Sequence, residues 1–228
     1  MKQIVVLTGS GISAESGLKT FREAGGLWEG YDVTEVASPQ GFAKDPELVL
    51  QFYNERRAQA LRAQPNEGHK WLVKLEEKYQ VQIITQNVDN LHERAGSSHV
   101  LHLHGELCKV RSVTDASYII ETENDIKLGD LAPDGGQLRP HIVWFGESVP
   151  MFTEAVRLMT RADIVIVVGT SMVVYPANTL VEYAPAMSPI YVVDPNRPEI
   201  YGLSNLYFIE ERGSVGVPKL VKELMGLS

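Results

Sequence analysis

The segment Val100-Leu101-His102-Leu103-His104 alternates imidazole with aliphatic side chains. In an extended chain that two-residue period puts both histidines on one face and both leucines on the other. An unperturbed imidazole titrates at about 6.5, so either ring can take up a proton near neutral pH. A pair at this spacing can also chelate a metal, but no third ligand with matching spacing follows it. His69, His92, His99 and His141 read as structural. A second pair, Asn87 and Asp89, offers an amide and a carboxylate that can together donate to and accept from a carboxamide; the alternative is a turn cap, a role both residues favour. Tyr53 and Arg56 lie three apart, which on a helix places a phenol and a guanidinium on one face. A guanidinium can grip a carboxylate through two parallel hydrogen bonds, although generic helices also carry such pairs on half-exposed faces. Finally, Gly9-Ser10-Gly11-Ile12-Ser13-Ala14 follows an apolar run and has the Gly-x-Gly-x-x-Ala form of a phosphate-binding turn entering a helix, in which Gly9 allows a tight turn and Gly11 lets backbone N–H groups approach a pyrophosphate. A plain structural turn is the alternative.

These residues need a scaffold. The chain has 228 residues, 44% of them hydrophobic and 22% charged, which suits one large domain, or one domain with a smaller insert, and excludes disordered, collagen-like and disulfide-scaffold classes. No apolar run approaches the roughly 18 residues of a membrane span. Met1-Lys2-Gln3 leads straight into apolar residues 4–7 without the basic, apolar and cleavage regions of a signal peptide, so a cytoplasmic protein is expected. A formal net charge of −8 offers no platform for DNA or RNA, whose binding rests on neutralising phosphates. The single cysteine, Cys108, excludes an intramolecular disulfide and any cysteine-pair zinc site.

Short, continuously apolar segments recur at residues 4–7, 81–85, 164–168 and 190–193. Unbroken apolarity suits strands covered on both faces, as in a parallel sheet. Helix-length amphipathic stretches lie between them: 46–62, with Asp45 as N-cap and Pro46 in the first turn, then 66–79, 152–161 and 218–225. The alternation predicts an α/β fold, a Rossmann-like doubly wound parallel sheet. Insertions at about 25–60 and 107–138 break the pattern and are expected to form a small subdomain within a single catalytic domain spanning 1–228, with a ligand cleft between it and the strand ends. A dehydrogenase reading is disfavoured, because no apolar strand ending in Asp or Glu follows the glycine turn by about 20 residues.

Read onward, the chain resembles the sirtuins, the NAD-dependent protein-lysine deacylases. The resemblance is carried by Gly9-Ser10-Gly11-Ile12-Ser13-Ala14-Glu15-Ser16-Gly17 with Thr20-Phe21-Arg22, and by Thr85-Gln86-Asn87-Val88-Asp89-Asn90-Leu91-His92 with Ala95-Gly96. It continues through Leu103-His104-Gly105, Arg139-Pro140, Val143-Trp144-Phe145-Gly146-Glu147, Gly169-Thr170-Ser171 and Val174-Tyr175-Pro176, in the family's order over nearly the whole chain. The chain looks most like the bacterial branch that removes acidic acyl groups.

The resemblance implies that NAD is consumed as a co-substrate and that acylated lysine side chains of proteins are the partner. It assigns His104 as general base and Asn87 as a second catalytic residue. Gly9, Ser10, Gly11, Ile12, Ser13, Glu15 and Ser16 would meet NAD, with Phe21, Arg22 and Trp28 closing over it. Gln86, Asn87, Val88 and Asp89 would line the nicotinamide and ribose pocket. Gly169, Thr170 and Ser171 would meet ribose or phosphate, and Asp194, Pro195, Asn196 and Gly213 the adenosine side. Val143, Trp144, Phe145 and Gly146 would form the lysine channel, and Tyr53 and Arg56 would bind the carboxylate of a succinyl or malonyl group, with acetyl-lysine still acceptable. The products would be nicotinamide, O-acyl-ADP-ribose and free lysine. Protein mono-ADP-ribosyl transfer and a non-catalytic NAD- or acyl-lysine-binding module are the competing readings, and a monomer is expected.

The chain departs from the family at one place. Most sirtuins hold a structural zinc with two cysteine pairs, whereas here Cys108 stands alone and Ser112 falls roughly where the first ligand belongs. No metal is expected, and the small subdomain is expected to be held by packing of Val110, Val113, Tyr118, Ile119, Ile120 and Leu131.

Overall fold

The even and odd residues of one strand explain the layering. In β1 (Gln3–Thr8), Val5 and Leu7 point into one apolar cluster while Ile4 and Val6 point into another, and all four are fully buried. A strand covered on both faces has no reason to alternate apolar with polar, and this one does not. The same holds for β9 (Ile164–Val168), buried at every position. The computed structural model describes residues 1–20, 27, 28, 30–198, 200, 202 and 205–227.

After β1 come α1 (Gly11–Ala14), the two-residue strands β2 (Leu27–Trp28) and β3 (Tyr31–Asp32), then α2 (Val33–Val36), α3 (Pro39–Lys44), α4 (Pro46–Arg62) and α5 (Glu67–Leu75). The chain continues through β4 (Gln80–Thr85), α6 (Leu91–Ala95), β5 (Val100–His102), β6 (Gly105–Ser112), β7 (Ile119–Glu121) and β8 (Leu138–Ile142). It then runs through α7 (Phe152–Met159), β9, a 3₁₀ helix at Ala177–Tyr183, β10 (Ile190–Val193), β11 (Leu206–Ile209) and α8 (Gly213–Met225). Six parallel strands form the main sheet in the order β11-β10-β9-β1-β4-β5. Side chains of α7 and the 3₁₀ helix cover one face, and those of α5 and α8 the other. This is the doubly wound, Rossmann-like sheet read from the sequence, extended by the short edge strands β5 and β11.

Local signals set the helix starts. The Asp45 carboxylate accepts from Leu48 N at 3.0 Å, the cap expected for α4. Helix α8 begins at Gly213, five residues before the expected start, and carries Pro218 inside it, where the ring cannot supply the N–H that would bond the Ser214 carbonyl.

A second, antiparallel sheet, β7-β6-β8, packs against α4. The expectation for its interior is overturned. Val110 is buried, with Leu50 and Ile126, but Val113, Tyr118, Ile119, Ile120 and Leu131 are all exposed. Ile119 and Ile120 belong to the edge strand β7, which is exposed on both faces, and Val113, Tyr118 and Leu131 lie outside the strands. Directional polar contacts hold the segment instead. The Arg57 guanidinium donates from Nε to Leu107 O at 2.7 Å and from Nη1 to Asn124 O at 3.1 Å and Asn54 Oδ1 at 2.9 Å. Asn54 exchanges both amide bonds with the Ile126 backbone. Ser112 donates to the Asp134 carboxylate, which also accepts from Gly136 N.

Candidate active site

The loops leaving β1, β4, β9 and β10 meet at the carboxyl edge of the main sheet, and together with α4 and residues 142–149 they enclose a cavity of about 1100 Å³. That is at the upper end for a single small-molecule site, and it leaves room for a dinucleotide beside a second substrate. Its two sides differ in chemistry. Gly, Ser, Thr, Asn and Asp side chains line the sheet edge, while Tyr53, Ile142, Val143, Trp144 and Phe145 line the other side.

Three glycines interlock the loops. Gly9 N donates to Val168 O at 3.0 Å and Gly11 N to Gly169 O at 2.8 Å. A Cβ on Gly9 or Gly11 would lie 2.7 Å from atoms of the 169–170 turn, and one on Gly169, at φ +62°, would lie 2.3 Å from Ile12 N. The glycine pattern therefore serves loop-to-loop packing, with the Gly11 N–H itself taken by the Gly169 carbonyl. Ser10, Ser171 and Asn196 on the same wall add hydroxyl and amide groups suited to a polar ligand.

Asn87 and Asp89 leave β4 and share Ser13. Asn87 Nδ2 donates to Ser13 Oγ and to Gly9 O, both at 3.1 Å. Burial pushes the Asp89 carboxyl up, against the opposing pull of the Leu91 N–H, the Ser13 hydroxyl and the His102 charge. Gln86 Nε2 donates to Thr170 Oγ1 at 3.0 Å, tying the β4 loop to the β9 loop.

His104 sits just past β5, half-buried in the cavity wall. Its Nδ1 is 3.1 Å from Gln86 O. A carbonyl only accepts, so Nδ1 carries the hydrogen and Nε2 of the neutral ring holds a lone pair. Burial lowers the pKa, and the Gln86 carbonyl only partly opposes it, so the ring is neutral at pH 7 and poised to accept a proton.

On the apolar side, Trp144 Nε1 donates to Tyr53 Oη at 3.0 Å. The indole is fixed from behind: the Arg139 guanidinium stacks on it at 3.3 Å and pairs with Glu147 at 2.7 Å, and Glu147 accepts from Trp144 N at 2.8 Å. Tyr53 is fully buried and Arg56 nearly so, and both line the cavity. Phe145 N donates to Ala37 O and Val143 N to His104 O, both at 2.9 Å.

The family model for the Sir2 family matches residues 9–176. The chain belongs to the Sir2 family. A protein of Helicobacter pylori named "NAD-dependent protein deacylase" is 52% identical over 228 residues, covering all of both chains. One of the same name from Bacteroides thetaiotaomicron is 52% identical over 231 residues, covering 99% of this chain and 98% of its own. A crystal structure of a Sir2 homolog–NAD complex superposes with a TM-score of 0.88 at 40% identity, covering 99% of this chain and 90% of that one.

Most of the residues the sirtuin resemblance singled out meet at one cavity. Gly9, Ser10, Gly11, Ser13, Glu15, Gln86, Asn87, Val88, Asp89 and His104 line it, as do Gly169, Thr170, Ser171, Asp194, Pro195, Asn196 and Gly213, together with Tyr53, Arg56 and Val143 through Gly146. Two do not. Ile12 is fully buried beneath the turn among the side chains of β1 and α8, and Ser16 Oγ accepts from Asn66 Nδ2 at 2.9 Å, pinning the loop to α5. The spacing of a turn sequence does not say which side chain goes under it. Phe21, Arg22 and the side chain of Trp28 lie outside the described residues. The cavity also takes in Lys19, Thr20, Val174, Tyr175, Pro176 and Arg212. Val174-Tyr175-Pro176 is part of the family resemblance, whereas Lys19 and Arg212 stand in no sequence motif that points to the site. Among the described residues, no group of three or more His, Cys, Asp or Glu side chains could hold a metal.

Proposed function

We propose that this NAD-dependent protein deacylase acts on protein lysines carrying a short acidic acyl group, succinyl or malonyl, with His104 as the general base. The observation that carries the reading is the placement of Tyr53 and Arg56 in the wall of the same cavity as Asn87 and His104. A guanidinium only 8% exposed beside a phenol is suited to a carboxylate, because a charge-assisted bond is strengthened where water is scarce. Arg56 thus orients the acyl tail and leaves the acyl carbonyl toward Asn87 and His104.

The polar wall fits NAD. In this reading Ser10, Ser13 and Glu15 with Thr170 and Ser171 hold its phosphates and ribose, Asp194 and Asn196 its adenosine end, and Gln86, Asn87 and Asp89 its nicotinamide end. Bound there, NAD supplies the leaving group and the ribose that carries the acyl group away. His104 Nε2 takes up the proton of the attacking hydroxyl while the Nδ1–H···Gln86 bond keeps the ring from turning. Val143 through Gly146 guide the lysine from the small sheet's side, which makes the insertions at 25–60 and 107–138 the substrate-side lobe of a single domain.

Matched succinyl-, malonyl- and acetyl-lysine peptides, incubated with NAD and excess EDTA and followed by mass spectrometry, test this. Succinyl removal faster than acetyl, with O-succinyl-ADP-ribose formed, is expected. Arg56→Met should raise KM for the succinyl peptide by about 10- to 100-fold, the worth of a charged hydrogen-bonded contact, and leave acetyl removal within about twofold. Acetyl removal without succinyl removal refutes the acidic-acyl assignment. ADP-ribose on protein without deacylation points to the transferase reading instead.

A further inference from the structure

Asn87 is gripped through its backbone as well as its side chain, and a different histidine stands behind each backbone group. Its N–H donates to Thr85 Oγ1 at 3.0 Å, Thr85 Oγ1 accepts from the Thr8 hydroxyl at 2.8 Å, and Thr8 Oγ1 lies 3.0 Å from His92 Nε2. The Thr8 hydrogen is committed to Thr85, so Thr8 accepts from His92, whose proton sits on Nε2. On the other side, the Asn87 carbonyl lies 2.9 Å from His102 Nδ1, and His102 Nε2 lies 2.8 Å from Glu93 Oε1.

Neither of His102's partners can donate: one is a peptide carbonyl and the other a carboxylate. A neutral imidazole has a single N–H and can satisfy only one of them, whereas an imidazolium satisfies both. We infer that His102 is a positioning residue that works as an imidazolium, cross-linking Glu93 of α6 to the Asn87 carbonyl and so fixing the loop from Gln86 to Asp89. The inference rests on the reading above only in taking Asn87 and His104 as the reacting end of the site.

The surrounding charges agree with the geometry. Burial works against a cation at His102, but the Glu93 hydrogen bond and charge, the Glu106 charge from β6 and the Asn87 carbonyl outweigh it and raise the pKa. Asp89 also feels His102 from the loop it holds, and His92 is pushed down by burial and by the His69 and His102 charges. Lys109 faces the same group of acids through Glu106, at 2.7 Å. The two histidines of the Leu-His-Leu-His segment thus divide the work: His104 is neutral and presents Nε2, while His102 is charged and holds the loop that His104 also touches through Gln86. Deprotonation of His102 leaves one of its two acceptors without a donor and releases one end of the clamp, so kcat should fall on the alkaline side.

Long-range ¹H–¹⁵N spectra of the labelled full chain at pH 7 test the charge state directly. The expected result is a His102 ring with both nitrogens protonated, and a smaller protonated fraction in Glu93→Gln. The alkaline limb of the kcat–pH profile should move to lower pH by about one unit in Glu93→Gln. His102→Gln, which keeps one donor, should lower kcat by about tenfold or more with little change in KM, and remove that limb. A neutral His102 in the wild type, or a Glu93→Gln profile that superposes on the wild-type one, overturns the inference. The spectra require neither NAD nor turnover, so an inactive wild-type protein would refute the deacylase reading while the charge of His102 was still decided.

Discussion

Replacing Arg57 with methionine tests what holds the second sheet to the rest of the protein. Arg57 is 1% exposed, and its guanidinium makes three hydrogen bonds that tie α4 to the Leu107 and Asn124 carbonyls and to Asn54. Methionine fills similar space without donors. It leaves the buried Leu107 carbonyl without Arg57 and the part-buried Asn124 carbonyl with only the long 3.4 Å bond from the Thr122 hydroxyl, each a cost of about 1–3 kcal/mol. Relief of the guanidinium's own burial, which already lowers the Arg57 pKa, offsets part of this, for a net loss of about 2–4 kcal/mol. At roughly 2–4 °C per kcal/mol for a chain of this size, the thermal midpoint should fall by about 5–15 °C. Circular dichroism melts with and without EDTA read this, and limited proteolysis should show earlier cutting within residues 113–137. Arg57→Lys should cost nearly as much, since one ammonium cannot reach all three acceptors in the fork geometry. A methionine variant melting within about 2 °C of wild type would show that the Leu50–Val110–Ile126 packing holds the sheet by itself.

The other outcomes follow from single sites. Gly169→Ala should cost about 3 kcal/mol or more and abolish NAD binding by calorimetry, because its Cβ would meet backbone atoms of Gly11 and Ile12 that cannot swing aside, at φ +62°. His104→Ala should lower product formation by about 10²–10⁴-fold while NAD still binds; since burial holds the His104 pKa below 6.5, wild-type activity should fall only as the pH drops beneath that value. Burial holds His69 down at about 4, so between the unfolded value of 6.5 and about 4 the unfolded chain binds the extra proton. Stability should therefore fall as the pH drops through that window, by about 3 kcal/mol, and urea titrations of His69→Gln should show a shallower fall, with His92, His104 and His141, whose pKa values burial also lowers, contributing to the remainder.

The main sheet was legible because its strands are covered on both faces: residues 4–7, 164–168 and 190–193 are unbroken apolar runs, and 81–85 is broken only at Gln82 before its closing Thr85. Their loops then had to lie at one edge, which is why Asn87, Asp89, Thr170 and Asp194 could be grouped in advance. β5 falls within the alternating 100–104 segment already read as extended, whereas β11 was not anticipated although Leu206-Tyr207-Phe208-Ile209 is an apolar run. The exposed Val113, Tyr118, Ile119, Ile120 and Leu131 mislead for another reason: apolar character says what would gain from burial, but β7 is an edge strand exposed at all three positions and the other three residues lie outside the strands. Chain order alone thus determined the fold class, the family and the grouping of the site. The tertiary structure decided that the glycines at 9, 11 and 169 pack against one another, that Ile12 lies beneath the turn, and that His102 faces a carbonyl and a carboxylate while His104 faces a single carbonyl. Periodicity is a property of neighbours along the chain. A proton's position depends on which carbonyl or carboxylate the fold brings within 3 Å, and for His102 those partners are supplied by two different segments.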